Sequence, residues 1–355
     1  MSEAGGLPLS HMTGIEQRLL ARARARRIGP DDLIVAGFSG GADSLALACA
    51  LVRLRARGIG PAVMLVHVDH GLRDESAADA EAAGVLALEL GLPFRAMRIG
   101  GEALRRHPGV GVEEAARRER YRLLAEACRA VKAVALALAH HRDDQAESVL
   151  LHLLRGAGTT GAAGMAELTS RPVPWWSGEP PGAAVAVWRP LLAEPRAALR
   201  DLVAARGLAP INDSSNDDRG FARNRIRLDA LPALEHAMPG AAAALARYAM
   251  VAADEDAALD ALAGEALAEA TDAAGALRWE PLAARPAAVR RRAARRWLLA
   301  AVPGSEPGLD QAEALLAALE RNRGGAVVEI GGGANVRIER GAASLPRRGE
   351  DGERR

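Results

Sequence analysis

The chain has 355 residues, a length that favours two folding units and excludes a small disulfide-stapled scaffold. Hydrophobic residues make up 49% and charged residues 26%, which are globular proportions, and no stretch approaches the roughly 18 uncharged apolar residues of a membrane span. The formal charge of +1 does not indicate a strongly charged partner, and Cys49 and Cys128 form no CxxC or Cys/His cluster. We therefore expect a soluble cytoplasmic protein without an export signal, a disulfide framework or a thiolate metal site.

Short apolar runs alternate with longer amphipathic segments between residue 32 and about residue 154, a pattern typical of βαβ units. The apolar runs predict strands at 33–38, 62–68, 93–99 and 133–139. The amphipathic segments predict helices near 43–57, 74–90 and 111–130. The sequence therefore predicts an α/β fold with a doubly wound parallel sheet that is covered on both faces, followed by a smaller, mainly helical domain.

The chain beyond this pattern reads as a loop followed mainly by helices. Residues 168–187 are rich in Pro, Gly and Trp, which predicts a loop or insertion. A helix is expected near 195–206, a polar ligand-facing loop at 212–220, and a hairpin from 326–330 and 335–338. We divide the chain into an N-terminal extension with the first helix (1–30), a catalytic domain (31–220), a helical domain (221–323), and a short hairpin with a frayed tail (324–355).

Two segments of the helical region carry opposite charge. Residues 254–272 contain seven acidic residues and no basic one, whereas 285–296 contain six arginines. Two facing helices of opposite charge would explain this pattern, and so would a basic helix that binds RNA. The sequence leaves both explanations open.

A phosphate-binding loop is predicted between the first strand and the helix that follows it. Its residues are Ser39, Gly40, Gly41, Ala42, Asp43 and Ser44. The two glycines allow a tight turn whose N–H groups can face an anion, the helix N-terminus adds positive potential, and Asp43 can hold Mg²⁺. An ordinary strand-to-helix turn needs only part of this hexapeptide. The loop lacks the GxxxxGK[ST] pattern of the common P-loop.

The loop resembles the SGGxDS pyrophosphate loop of the N-type ATP pyrophosphatases. These enzymes cleave ATP between its α- and β-phosphates and adenylate a substrate oxygen. The superfamily includes NAD synthetases, GMP synthetases, argininosuccinate synthetases, tRNA thiolases and lysidine synthetases. The loop alone therefore does not identify the substrate.

Polar residues follow the second strand in the sequence HVDHGLR, which contains His67, Asp69 and His70. These residues are expected at the carboxyl edge of the sheet, where ligands bind in doubly wound folds. A metal site is the weaker interpretation, because consecutive strand residues point to opposite faces.

The helix at 111–130 begins with VEEAARRERY, in which Glu113, Arg117 and either Arg120 or Tyr121 share one face. Glu113 and Arg117 could form an exposed helical pair, or Arg117 could contact a substrate phosphate. The sequence does not decide between these roles.

The fourth strand leads into AHHRDDQAE, and a helical periodicity would place His140, Asp144 and Glu147 on one face. Because strand order reverses between the first and fourth strands of such a sheet, this cluster should lie opposite the phosphate loop. A metal site, a general base and a site for a substrate ammonium all remain open.

The segment RGFARNRIR contains Arg219, Arg223, Asn224, Arg225 and Arg227. These side chains could cap and solubilise a helix. Beside a polar loop they favour contacts with phosphate or tRNA.

Together, HVDHGLR, EEAARRERY, AHHRDDQAES, LLRGAGTTGAAGM, RPLL and NDSSNDDRGFARNRIR resemble the tRNA(Ile)-lysidine synthetase family in that family's motif order, over about residues 32–234. The resemblance implies an enzyme that uses ATP and Mg²⁺ to adenylate the oxygen on C2 of the wobble cytidine in a CAU-anticodon tRNA(Ile). Free L-lysine then displaces AMP, which leaves lysidine.

The resemblance also implies roles for individual residues. Asp43, Arg117, His140 and Asp144 would be catalytic, and Asp43 would hold Mg²⁺. Asp144 and Glu147 would bind lysine. The nucleotide would contact the whole phosphate loop, Asp69 and His70. The tRNA would contact Arg223, Asn224, Arg225 and Arg227.

Two other functions remain as alternatives. A tRNA thiolase would typically bring cysteines to handle sulfur, and neither Cys49 nor Cys128 has a partner in the sequence. A nucleotide-binding RNA adaptor would not need the cluster around His140. Formation of a homodimer stays open.

Overall fold

The computed structural model describes residues 12–69, 71, 76–174, 184–212, 218–301, 307–321, 325–329 and 335–345. Contacts between Cα atoms divide the chain into two compact units, Met1–Val251 and Ala252–Arg355. The first unit therefore extends past residue 220, the predicted end of the catalytic domain. The boundaries of the catalytic and tRNA-contacting domains stay a prediction.

The first unit is an α/β structure. Its strands are β1 (Leu33–Gly37), β2 (Ala62–Asp69), β3 (Phe94–Arg98), β4 (Ala135–Ala137), β5 (Leu168–Arg171) and β6 (Val185–Trp188). Its helices are α1 (Gly14–Ala25), α2 (Ala42–Ala56), α3 (Ser76–Glu89), α4 (Gly101–Arg105), α5 (Val112–Ala130), α6 (Arg142–Leu154), α7 (Thr159–Ala162), α8 (Arg196–Ala204), α9 (Ala222–Arg225) and α10 (Leu231–Ala237). A π-helical segment, Ile226–Ala230, joins α9 to α10.

The six strands form one sheet in the order β3-β2-β1-β4-β6-β5. Neighbouring strands are parallel, except that β5 pairs antiparallel with β6. Strand order thus reverses between β1 and β4, and the loops after these two strands flank the crevice where ligands bind in doubly wound folds. The predicted α/β fold with a parallel-dominated sheet is confirmed, with an antiparallel edge strand added.

The interpretation of 168–187 as a loop or insertion is wrong at both ends. Leu168–Arg171 forms β5, and β6 begins at Val185. Each of these strands is only four residues long. So short an apolar alternation is a weak signal for a strand, and the Pro- and Gly-rich sequence between the two strands favours a loop instead. Residues 175–183 lie outside the described residues.

Central strands are apolar along their length because helices cover the sheet. Ile34, Val35 and Ala36 of β1 are almost fully buried. The edge strand β3 is much more exposed, so the expected coverage of both faces applies to the centre of the sheet. Parallel pairing aligns Ala36 with both Leu65 and Ala137, so that β1, β2 and β4 end at the same edge.

A buried ion pair network joins three helices on one side of the sheet. Glu16 of α1 is fully buried, and its Oε1 lies 2.7 Å from Nε of Arg53 on α2 and 3.2 Å from an Nη of Arg206 after α8. The other Glu16 oxygen accepts the Thr13 backbone N–H in a capping box at the start of α1. The network therefore ties α1 to the helix that follows the phosphate loop.

In the second unit, the structure has helices α12 (Trp279–Ala283), α13 (Ala287–Ala301) and α14 (Leu309–Arg321), preceded by α11 (Ala241–Ala270), which begins in the first unit. The strands β7 (Leu277–Arg278), β8 (Ala326–Glu329), β9 (Asn335–Glu339) and β10 (Ala342–Ser344) form an antiparallel sheet in the order β7-β10-β9-β8. The predicted pairing of 326–330 with 335–338 is confirmed over the described residues. The sequence analysis missed β7 and β10, which are two and three residues long.

The acidic and basic segments of this unit face each other. Arg292 of α13 lies 2.5 Å from Asp256 of α11, and Arg296 lies 3.3 Å from Asp260. Arg291 pairs with Glu313 of α14. These pairs support facing helices of opposite charge rather than a free basic helix for RNA.

We expect Glu16→Gln to lower the free energy of unfolding by about 3 kcal/mol, because it leaves two guanidinium groups without their buried counter-charge. The control is Glu102→Gln, which removes an exposed partner of Arg105 and should cost less than about 0.5 kcal/mol. Urea unfolding of both variants measures the difference. Equal stabilities would show that the buried network does not stabilise the fold.

Candidate active site

The phosphate loop lies between β1 and α2, at the carboxyl edge of the sheet. Gly41 is the N-cap of α2, and Ala42 begins the helix, so the first N–H groups of α2 face the crevice. The Ser44 hydroxyl donates to the Gly41 carbonyl at 3.0 Å and lies 3.2 Å from the Ser39 hydroxyl. The two serines thus shape the loop from within.

Gly40 is required where it stands. Its φ is +76°, and a Cβ atom there would lie 2.3 Å from Cδ1 of Ile211. Ile211 also donates its backbone N–H to the Gly40 carbonyl at 3.0 Å. The segment after α8 therefore packs on the outside of the loop and holds its turn in place.

The contact between Asp43 and His141 joins the two sides of the crevice. Asp43 Oδ2, in the first turn of α2, lies 3.4 Å from His141 Nε2, at the start of α6. Burial opposes ionisation of Asp43, but His141, Arg196 and Arg227 outweigh it and lower the pKa of this carboxyl. The ionised Asp43 places a negative charge beside the phosphate loop.

His141 also determines where α6 begins. Its Nδ1 accepts the backbone N–H of Asp144 at 3.3 Å, and Asp144 Oδ2 accepts the His141 N–H at 3.0 Å. This capping box leaves Nε2 as the nitrogen that faces Asp43. His141 was not among the predicted site residues, and the local signal for it is weak: the two aspartates that mark the first turn of α6 begin two residues later, at Asp143.

The prediction that His140, Asp144 and Glu147 share a helical face is wrong for His140. Helix α6 starts at Arg142, so His140 precedes the N-cap and continues from β4 instead. Its Nδ1 is buried and has no hydrogen-bond partner among the described residues. Burial, and then the positive charges of Arg189 and Arg223, hold the pKa of His140 well below its usual range, so the imidazole is neutral at pH 7.

The two acids of α6 form a network with two arginines. Glu147, with 2% of its side chain exposed, lies 3.0 Å from Nε of Arg223 and 2.8 Å from Nε of Arg227. Asp144 Oδ1 lies 3.2 Å from an Nη of Arg223 and 3.7 Å from an Nη of Arg227. The acids that we assigned to lysine and two of the arginines that we assigned to tRNA therefore form one network rather than two separate sites.

The remaining residues of the RGFARNRIR segment hold the turn that precedes α9. Arg225 donates to the carbonyl groups of Arg219 and Gly220 at 2.8 and 3.0 Å, and the Asn224 amide donates to the Asp218 carbonyl at 2.8 Å. Arg225 is exposed, unlike Arg227. Contacts of these residues with tRNA stay a prediction.

The residues after β2 are engaged within the protein. His67 Nδ1 lies 3.0 Å from the Phe38 carbonyl. Asp69 accepts the Gly71 N–H at 2.7 Å through one oxygen and lies 3.4 Å from Arg98 through the other. His70 lies outside the described residues. Nucleotide contacts of Asp69 and His70 stay predictions.

Arg117 is exposed on α5. It does not pair with Glu113, so the interpretation of these two residues as a helical ion pair is wrong. Its nearest carboxylate is Glu114, at 3.7 Å, which also accepts from Arg118 at 3.1 Å. The Arg117 guanidinium carbon lies 5.5 Å from the centre of the Tyr121 ring. The helix thus presents Arg117 beside an aromatic face, with only a weak acidic partner.

The residues present fit a hydrated Mg²⁺ ion at Asp43. Asp43 Oδ1 is buried and has no hydrogen-bond partner among the described residues. Within the same part of the chain, no group of three or more His, Cys, Asp and Glu residues could hold a metal ion. A single carboxylate suits Mg²⁺ that takes its other ligands from phosphate oxygens and water.

A parallel sheet whose first strand leads into SGGADS, with a helix N-terminus aimed at the crevice, defines the class of PP-loop ATP-binding proteins. A family model described as a PP-loop domain matches residues 14–234. The U34-tRNA thiolase NcsA from Methanococcus maripaludis, solved with its 4Fe-4S cluster, is similar in fold, with a TM-score of 0.53 and 17% identity. That alignment covers 67% of this chain and 78% of the thiolase.

Curated relatives identify the family within this class. The tRNA(Ile)-lysidine synthase of Rhodopseudomonas palustris is 42% identical over 255 residues, which cover 70% of this chain and 68% of that protein. The tRNA(Ile)-lysidine synthase of Salinispora arenicola is 43% identical over 289 residues, which cover 80% and 82%. The chain belongs to the tRNA(Ile)-lysidine synthase family, whose members are ATP-using ligases. It spans from 50% to 93% of the length of such relatives.

We expect Gly40→Ala to weaken ATP binding at least tenfold, because the new methyl group must displace either Ile211 or the loop. The matched control is Gly58→Ala, which has a similar φ of +71° but no atom within 4 Å of the added Cβ. Both variants should lose about 1 kcal/mol of stability from the strained φ. Isothermal titration with ATP separates them, and equal affinities would show that the Ile211 contact does not shape the loop.

Proposed function

We propose that this chain ligates free L-lysine to C2 of the wobble cytidine of CAU-anticodon tRNA(Ile), with conversion of ATP to AMP and pyrophosphate. The observation that carries the proposal is the contact between Asp43 of the phosphate loop and His141, which caps the helix of Asp144 and Glu147. A site for phosphates and a site for a cation therefore meet in one crevice. That juxtaposition suits attack of an amine on a carbon whose oxygen has been adenylated, with AMP as the leaving group.

The first half of the proposed reaction needs the phosphate loop. The N–H groups at the start of α2 bind pyrophosphate, and Asp43 would hold Mg²⁺. When bound, the ion would supply positive charge that stabilises the phosphates. Arg117, which is exposed on α5, contacts a phosphate of the activated intermediate.

The lysine ε-ammonium takes the place of one guanidinium in the acid network. Glu147 is held by both arginines, whereas Asp144 is the more exposed of the two acids. Arg223, at 34% exposed, is less enclosed than Arg227, at 19%, which makes Arg223 the exchangeable cation. When Arg223 leaves, its guanidinium becomes available to the tRNA, which is the partner that the sequence resemblance implies for Arg223.

The amine must lose a proton before it attacks, since the ordinary pKa of lysine is near 10.4. Asp144, the more exposed of the two acids, takes this proton and passes it to solvent. Burial, together with the positive charges of Arg189 and Arg120, lowers the pKa of His140 and keeps it neutral. The same charges favour the neutral form of an amine bound beside His140. His140 Nδ1 then accepts a hydrogen bond from the attacking amine and orients it.

The alternative of a tRNA thiolase is not favoured. Burial raises the pKa of Cys49 to about 11 and that of Cys128 to about 12, so both thiols are protonated and unreactive at neutral pH. A non-catalytic adaptor would have no use for the network of Asp144 and Glu147.

Among the described residues, no helix is long and apolar enough to cross a membrane. The tRNA substrate is consistent with the proposed cytoplasmic location.

The function is tested by incubation of the purified chain with ATP, labelled lysine and an unmodified CAU-anticodon tRNA(Ile) transcript. We expect lysine incorporation into the tRNA in step with release of AMP and pyrophosphate. The Asp43→Asn variant should release neither AMP nor pyrophosphate. Its thermal unfolding should stay close to that of the unmodified chain, because the substitution removes a charge at a partly exposed site. Pyrophosphate release without lysine incorporation would refute ligation of lysine, and a fully active Asp43→Asn would refute the proposed role of the loop.

We expect Glu147→Gln and Arg223→Gln to change the KM for lysine in opposite directions. Loss of the carboxylate should raise this KM at least tenfold, since hydrogen bonds to charged groups contribute about 1.5 to 3 kcal/mol. Arg223→Gln removes the competing guanidinium and should lower the KM for lysine. The control is Glu126→Gln at an exposed position of α5, which should leave this KM unchanged.

Steady-state kinetics at saturating ATP measure the KM of each variant. If Arg223→Gln and Glu147→Gln both raise the KM for lysine, the ammonium of lysine does not replace Arg223.

A further inference from the structure

An exposed aromatic ring lies at the start of α9. Phe221 is the N-cap of this helix, and 38% of its surface is exposed. Aromatic residues make up only 3% of the chain, and Tyr248, at 46%, is the other exposed one among the residues that the structure describes. The buried aromatic residues of this part of the chain are Phe38, Tyr121, Trp188 and Trp297. Phe221 thus offers a partner an aromatic surface that most rings of this chain do not offer.

Hydrogen bonds brace the turn that carries Phe221. Asp218 Oδ1 accepts the Gly220 N–H at 2.8 Å. The Arg225 guanidinium donates to the carbonyl oxygens of Arg219 and Gly220 at 2.8 and 3.0 Å, and the Arg225 backbone N–H donates to the Phe221 carbonyl at 3.1 Å. A ring on a braced backbone loses little conformational freedom when a ligand binds, which favours a preformed binding surface.

Phe221 lies next to the acid network of the candidate active site. Arg223 contacts Glu147 at 3.0 Å and Asp144 at 3.2 Å. Two residues span at most about 7 Å of backbone, so the Cα atoms of Phe221 and Arg223 are no further apart than this. The exposed ring therefore adjoins the carboxylates that we propose for lysine, although it takes no part in their ion pairs.

An exposed ring beside a site of RNA chemistry suits an unpaired base. Every base has a face that stacks on an aromatic side chain, and proteins recognise RNA sequence mainly where the bases are unpaired. An enzyme that acts on one base must take this base out of the stack, which leaves its neighbour without a stacking partner. An aromatic side chain next to the reacting base replaces that partner.

We propose that Phe221 stacks on the adenine that follows the wobble cytidine in the CAU anticodon, and so holds the loop open while the cytidine enters the crevice. The inference rests on the proposed function for the identity of the RNA. Adenine is the neighbour that the anticodon itself defines, and a purine offers a larger stacking surface than a pyrimidine. Because Arg219 on the same turn is paired with Asp229 at 3.2 Å, this turn suits a base better than a phosphate.

The test replaces this adenine by 2-aminopurine, a fluorescent analogue that stacking on an aromatic ring quenches, in an unmodified CAU-anticodon tRNA transcript. The fluorescence of the bound RNA is measured at saturating protein, without ATP or lysine. We expect this fluorescence to be lower by about twofold or more with the unmodified chain than with Phe221→Leu. Phe221→Trp and Phe221→Tyr keep an aromatic ring and should keep the quenching.

The affinity for the transcript gives a second readout. Phe221→Leu should weaken binding about tenfold, as expected for the loss of one stacked base. The slope of log affinity against log salt should not change, because the ring carries no charge. The matched control is Tyr248→Leu, which removes the other exposed ring and should change neither the affinity nor the quenching.

Two outcomes would overturn the stacking of Phe221 on this adenine. One is equal fluorescence of the RNA bound to the unmodified chain and to Phe221→Leu. The other is loss of the quenching in Phe221→Trp and Phe221→Tyr as well, because the ring would then act through the structure of the turn and not through its aromatic face.

These assays need no turnover, so they separate the stacking site from the proposed function. Quenching that depends on Phe221 in a chain that incorporates no lysine would refute the function and support the stacking site. Lysine incorporation by a chain in which the RNA fluorescence does not depend on Phe221 would support the function and overturn the stacking site.

Discussion

The architecture of the site depends on the reversal of strand order between β1 and β4. This topology brings the first turns of α2 and α6 together, and Asp43 and His141 meet across the gap at 3.4 Å. The two helix starts contribute different chemistry. Helix α2 offers N–H groups to an anion, whereas α6 offers carboxylates to a cation. A single topological feature therefore places opposite ligand preferences side by side, as transfer of an amine to a phosphate-activated atom requires.

Charge is balanced in the acid network of the crevice. Asp144 and Glu147 are neutralised by Arg223 and Arg227, so in this structure the acids that we propose for lysine are occupied by the protein's own cations. This arrangement suits exchange of one cation for another, because a buried carboxylate is costly without a partner.

The arginines of the second unit show that basic residues in a row do not by themselves make an RNA surface. Arg285, Arg292 and Arg296 are paired with acids of α11, so half of the six arginines of this segment are neutralised by that helix. Proximity of charges in space, and not along the chain, decides which group attracts a polyanion.

The sequence by itself determined the longer elements of the first unit and the family. Apolar runs and helical periodicity predicted β1 to β4, α2, α3 and α5 to within a few residues, because these signals reflect local backbone hydrogen bonding and one-sided burial. The motif order was sufficient for the family. Short strands such as β5 escaped notice, since four residues give too weak a period to outweigh a Pro-rich neighbourhood.

Only the tertiary structure decided which of the polar residues meet. Arg223 and Arg227 reach Glu147 from 76 and 80 residues away, and Arg171 reaches Tyr121 through a strand that the sequence did not reveal. His141, and not the predicted His140, lies opposite Asp43 because it is the N-cap of α6. Such pairings are set by strand order and helix packing, which bring distant residues together, and no local period in the sequence records them.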